Sequence, residues 1–314
     1  MQNLKPLIWT IGGGKGGTGK SFFTGSLGFL LAARGCKTLL VDLDLGAANL
    51  HTIVGLPYPD KSIADFIHKR VANLEETIVS TPYPNLSLIS GAMNNLDMPN
   101  LAHEQKLKLQ RSLTRLPFEY ILLDLGAGTA YNTIDFFLIA DVGIFVTTPE
   151  PTAIENIYRL IRSVYFRKIH QVLKTYDFKT LTGEAERENP LATISNPDLL
   201  LPIIARLDPA KGAILEEALG TFEFKLALNQ LRKQDSQNIG MLICKIVGKH
   251  LGLKMHPIGN IGFDDRVHYA VCKMRPFLEL YPYAQTALDL QECCRFLLSA
   301  NDSPPVLRKI MERR

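Results

Sequence analysis

Gly12-Gly13-Gly14-Lys15-Gly16-Gly17-Thr18-Gly19-Lys20-Ser21 is the stretch on which the fold turns. Before it comes an apolar run, Leu7-Ile8-Trp9-Thr10-Ile11, which reads as a buried strand; after it, Phe22 to Arg34 reads as a helix. Gly14 to Ser21 fits G-x-x-x-x-G-K-[ST], a phosphate-binding P-loop. Glycines let backbone N–H groups curl around β- and γ-phosphates with no Cβ in the way. The helix that follows turns its positive N-terminus toward the same anion. Gly14, Lys15, Gly16, Gly17, Thr18, Gly19, Lys20, Ser21 and Phe22 are therefore the candidate nucleotide-binding residues. Lys20 would neutralise phosphate charge, and the Ser21 hydroxyl would ligate Mg²⁺.

Further along, Thr38–Val41 reads as a buried parallel strand that delivers Asp42 and Asp44 at its carboxyl end, where open α/β sheets place ligands. Tyr120-Ile121-Leu122-Leu123-Asp124 repeats the pattern, four apolar residues ending in an acid, as expected of a strand bringing a carboxylate to Mg²⁺ through water. Leu125-Gly126-Ala127-Gly128 follows it, and the Gly128 N–H could swing toward a γ-phosphate.

One residue narrows the class. Lys15 lies inside the loop, in the pattern K-G-G-x-G-K-[ST], which resembles the deviant Walker A of the MinD/ParA family. That resemblance implies a doubly wound, mostly parallel α/β sheet and ATP hydrolysis with Mg²⁺. It also implies an ATP-dependent homodimer in which Lys15 reaches the partner's nucleotide. Lys15, Lys20 and Asp44 become the catalytic candidates, Asp44 placing the attacking water. Ser21, Asp42 and Asp124 become the metal candidates. The segment D-x-G-A-G through Asn132, Phe136, Ala140 and Asp141 resembles the FlhG/FleN branch, as does Thr148-Pro149-Glu150-Pro151-Thr152-Ala153. By the same resemblance Asn229, ending Phe224–Leu228, would meet the adenine edge, and Asp264 would lie near base and ribose. The implied function is a switch that positions structures in a bacterial cell, with flagellar number and placement first. ParA-like DNA segregation and MinD-like division-site placement stay open.

The rest of the chain is compatible with this. The 314 residues carry a net charge of +4 and are 46% hydrophobic and 21% charged, ordinary for a globular protein. Mild basicity does not by itself imply nucleic acid, which is the less favoured partner. Five cysteines without C-x-x-C pairs argue for reduced thiols in the cytoplasm. Residues 1–302 read as one P-loop ATPase domain with a helical insertion at about 175–222, in which Gly183–Pro190 looks turn-prone. His103–Leu116 and Ala153–Lys174 read as basic amphipathic helices. Residues 303–314 read as a short basic amphipathic tail. Val306, Leu307, Ile310 and Met311 share one face, suited to reversible peripheral contact with the inner membrane through 306–314. Slow turnover would call for an activator protein.

Overall fold

The computed structural model describes residues 5–91, 101–220 and 223–299. β1 (Leu7–Gly13) runs into the glycine loop, and α1 (Lys20–Ala33) leaves it. The helix starts at Lys20 rather than Phe22, because Gly19 in the left-handed region (φ 85°) turns the chain directly into the first helical turn. Next come β2 (Thr38–Leu43), α2 (Leu50–Ile53), α3 (Ile63–Ile67), β3 (Ile78–Ser80) and β4 (Leu86–Ile89). The middle of the chain holds α4 (His103–Leu113), β5 (Tyr120–Ala127), α5 (Tyr131–Phe137), β6 (Val142–Thr147) and α6 (Pro151–Thr175). Then follow α7 (Lys179–Glu188), α8 (Pro197–Leu207), α9 (Pro209–Gly220), β7 (Glu223–Leu231), α10 (Ile239–Leu251) and β8 (Lys254–Gly262). α11 (Arg266–Cys272), α12 (Phe277–Leu280) and α13 (Gln285–Ser299) complete the described chain.

The strands form one sheet in the order β3-β4-β2-β5-β1-β6-β7-β8, parallel throughout except for β3 against β4. Neighbouring residues on each strand feed opposite cores, as the period of two requires. Ile8, Leu39, Ile121 and Phe145 enter one core, beneath residues of α3 to α10. Trp9, Leu40, Leu122 and Ile144 enter the other, beneath α1, α2 and α11 to α13. β1 is central, with β5 and β2 on one side and β6 on the other. Its carboxyl end is therefore the point where strand order reverses, the place such sheets bind ligands.

Two expectations need correction. Gly183–Pro190 is not a turn: α7 runs through Gly183 to Glu188. Phe178 and Ala185 are fully buried and Leu181 packs beside them, so packing on the main core overrides the weak local propensity. The helix at 103 stops at Leu113 rather than Leu116. β3 and α2 were not anticipated; both are too short to show periodicity. No helix among the described residues is long and apolar enough to cross a membrane. The tail at 303–314, with its suggested lipid contact, lies outside the described residues.

Candidate active site

The loop is built to bring backbone close to a ligand. A Cβ on Gly14 would lie 2.3 Å from the Asn156 carbonyl carbon, so the loop rests directly on the first turns of α6. A Cβ on Gly19 would lie 2.1 Å from Asn229 Nδ2. At the crown, Gly16 and Gly17 are exposed, with nothing within 4 Å of where a Cβ would sit. That open cradle suits an incoming phosphate chain. Thr18 and Lys20 are buried, Ser21 is half-buried and Phe22 is buried at the start of α1.

Four side chains outside the loop hold it. Asn229 Nδ2 donates to Thr18 O at 2.9 Å, and Gln230 Nε2 donates to Gly17 O at 2.8 Å. Gln230 does so from a left-handed backbone (φ 57°) within β7. Lys15 Nζ lies 3.1 Å from Glu150 Oε2 and donates to Thr152 Oγ1 at 3.3 Å, at the start of α6. Within one chain, Lys15 is thus folded back beside its own loop. Asn229 has its amide nitrogen on the loop backbone rather than free for a base. Glu150, Thr152 and Gln230 were not foreseen as loop partners, since they come from distant strands and helices.

Opposite the loop, Asp42 and Asp124 stand level with each other on the parallel strands β2 and β5. Both are almost fully buried. Asp42 Oδ1 accepts the Asp44 N–H at 3.1 Å and Oδ2 the Leu50 N–H at 3.0 Å, which closes the loop after β2. Asp124 Oδ1 accepts from Thr24 Oγ1 at 2.9 Å, whereas its Oδ2 is buried without a partner. Thr24 is a further residue that the motif did not reveal; it faces Asp124 because it sits one turn beyond Lys20 on α1. Burial raises both carboxylates above the ordinary range, and for Asp42 the charge of Asp124 adds to it. Ser21, Thr24 and the Lys20 ammonium favour the ionised form of Asp124.

Asp44 lies just past β2, and a Cβ on Gly126 would be 3.3 Å from its Oδ1, so the acid overhangs the end of β5. The Gly128 N–H donates to Gly13 O at 3.1 Å and would have to swing to meet a phosphate. Asp264 is engaged elsewhere: Arg266 clamps it bidentately at 2.9 and 2.7 Å, which holds its carboxyl below the usual range. A buried, unpartnered carboxylate oxygen facing a hydroxyl and a lysine fits a hydrated Mg²⁺. Mg²⁺ keeps several waters and takes phosphate oxygens, so it needs few donors from the protein.

An ordinary P-loop has a single lysine; the additional Lys15 at the crown of this one, on a sheet of this order, marks a P-loop ATPase of the MinD/ParA type. Residues 7–178 match the AAA_31 family, an AAA domain, and the chain belongs to that family. Among curated relatives, the antiactivator FleN of Pseudomonas aeruginosa is 23% identical over 92% of this chain and 85% of its own length. The flagellum site-determining protein YlxH of Helicobacter pylori is 33% identical over 48% of this chain and 50% of its own. Among solved structures, the septum site-determining protein MinD of Pyrococcus horikoshii OT3, complexed with Mg-ADP, superposes with a TM-score of 0.59 at 18% identity. That match covers 93% of this chain and 96% of the other.

Proposed function

We propose that this chain is a Mg²⁺-dependent ATPase working as an ATP-driven dimerisation switch, and that it regulates flagellar number and placement in the manner of FlhG/FleN. The observation that carries the reading is Lys15. It stands at the open crown of the loop, beside Gly16 and Gly17, tethered by an ion pair whose two side chains are each about half exposed. Such a pair is worth at most about 1 kcal/mol, so ATP on a facing subunit can draw the lysine away. The relative YlxH supports the flagellar reading by its name, and FleN, an antiactivator, supports a regulatory role.

In this scheme Gly14–Ser21 bind the phosphates, with Lys20 neutralising them and Thr18, Gly19 and Phe22 shaping the loop. Ser21 holds Mg²⁺, with Asp42 and Asp124 behind it. Bound Mg²⁺ would supply charge neutralisation to the β- and γ-phosphates. Asp44 positions the water, and catalysis is mainly electrostatic stabilisation. Gly128 reports whether the γ-phosphate is present. Asn229 would contact the base only through the atoms its loop bond leaves available, and Asp264 would act from the rim through Arg266. An activator protein raises a slow basal rate, and the tail at 306–314 provides reversible membrane contact.

Light scattering with ADP and with ATP tests the switch. Wild type and Asp44→Ala should double in mass with ATP only, and Lys15→Ala should stay monomeric while still binding nucleotide. An unchanged mass for all three would sink the dimer reading and leave a monomeric nucleotide-binding module.

A further inference from the structure

A cavity opens beside α5, away from the nucleotide loop. It measures about 260 Å³ and lies between α4, α5 and α6. Its rim carries Lys106 from α4 and Arg167, His170 and Lys174 from α6; its floor includes Leu107, Leu138 and Ile139. One carboxylate, Asp135 of α5, faces these three permanent cations. Lys106 Nζ and Arg167 Nε both donate to it, Arg167 at 3.0 Å, so two helices converge on a single internal counter-ion. His170 and Lys174 are exposed at the mouth.

α5 is well placed to transmit an event in this cleft. It begins three residues after Gly128, whose N–H rests on Gly13 O. Its Phe136 carbonyl accepts the Thr10 hydroxyl of β1. Its Phe137 ring lies 2.5 Å from where a Cβ on Gly12 would be, so the root of the P-loop packs directly on it. Asp135 therefore ties α5 to α4 and α6 by charge, beside the buried Ile134, Phe136 and Phe137 that seat the helix in the core.

We propose that this cleft is the docking site for an acidic amphipathic segment of the protein that activates hydrolysis, and that the segment's carboxylate competes with Asp135 for Arg167 and Lys106. Charge complementarity selects the occupant: a cationic rim over an apolar floor matches a peptide carrying Asp or Glu beside Leu or Ile. An inorganic anion would leave the floor uncovered. Displacing Asp135 loosens α5 and, through Phe137 and Gly128, the loop. The proposal rests on the ATPase reading only for its consequence; docking itself does not require it.

The test is a display library of random 12-residue peptides selected on the full-length chain loaded with ADP. Acid-rich sequences with interleaved aliphatic residues should be enriched. The strongest, labelled with fluorescein, is then followed by anisotropy. His170→Glu/Lys174→Glu should weaken it at least tenfold while leaving the affinity for a fluorescent ADP analogue unchanged. Asp135→Asn should tighten it at least threefold, and Glu292→Gln on α13, a charge-matched control behind the sheet, should change nothing. No acid-rich enrichment, or equal binding by the rim variant, overturns the docking site. So does a result in which duplex DNA binds and is lost in the rim variant while no peptide is enriched. Peptide binding without any change in ATP turnover overturns the coupling through Asp135. Mass measurements in ATP remain independent of all these outcomes, so a failed switch and a failed docking site are told apart.

Discussion

Asp42 and Asp124 sit level on adjacent strands, almost out of solvent, with Thr24 supplying one hydroxyl and no side chain answering Asp124 Oδ2. Burial raises both carboxyls above the ordinary range, and the charge of Asp124 adds to it for Asp42. The consequence for stability has a definite sign. A carboxyl whose folded pKa is raised keeps its proton in the folded state after the unfolded chain has lost it. Folding stability then falls as pH rises from the ordinary carboxylate value near 4. Mg²⁺ compensates by favouring the ionised pair. Melting curves without metal should therefore show declining stability from about pH 4 upward relative to curves with Mg²⁺ and ADP, and the stabilisation by Mg²⁺ should be larger at pH 8 than at pH 5. In Asp124→Asn this pH dependence of the Mg²⁺ effect should shrink, with the buried Asp42 carrying what remains; an identical metal effect at both pH values in wild type would contradict the coupling.

At the scale of elements, the loop and its neighbours depend on close backbone approach. Gly19 serves as the start of α1 with φ 85°, and Asn229 Nδ2 stands 2.1 Å from where its Cβ would be. Gly19→Ala meets both obstacles at once: a left-handed backbone, costing about 1 kcal/mol or more, and a collision with the amide that holds Thr18. Affinity for ADP, measured by calorimetry, should fall at least tenfold while the far-ultraviolet circular dichroism of the sheet and helices is retained. The control Gly35→Ala, also at positive φ but with open space around it, should cost stability without weakening nucleotide. Packing also decides the conformation of 183–188, which is helical in α7 rather than a turn. Phe178, Leu181 and Ala185 fall on one helical face against the core, and that burial outweighs the turn propensity of the glycine and polar residues between them.

At the scale of the molecule, the segment between α6 and β7 is packed into the main core rather than hung outside it. Leu200, Ile204 and Leu215 are buried in the same cluster as Ile157, Val164 and Phe224. Removing α7 to α9 would expose the back of α6 and α10. Urea unfolding of the whole chain should therefore be one transition, with tryptophan fluorescence from buried Trp9 and circular dichroism coinciding. A chain with 176–222 replaced by a short glycine-serine linker should lose several kcal/mol, since each large aliphatic side chain stripped of its burial costs about 2–5 kcal/mol. Two separated transitions would show the segment to be an independent unit.

The amino-acid sequence alone determined what depends on neighbours along the chain. The glycine string and its two lysines, the apolar runs that end in Asp42 and Asp124, and the alternation of strand and helix all rest on local sterics and on periodicity of burial, which a short window contains. Only the tertiary structure decided the order of strands around β1 and the placing of Thr24 on Asp124. It alone set Gln230 on Gly17, turned Lys15 back to Glu150, and gathered Lys106, Asp135 and Arg167 from three helices into one cleft. Those contacts join residues tens to more than two hundred positions apart, as Gln230 and Gly17 are, and they exist because two buried faces close on the same sheet. No pattern within a single segment carries that information.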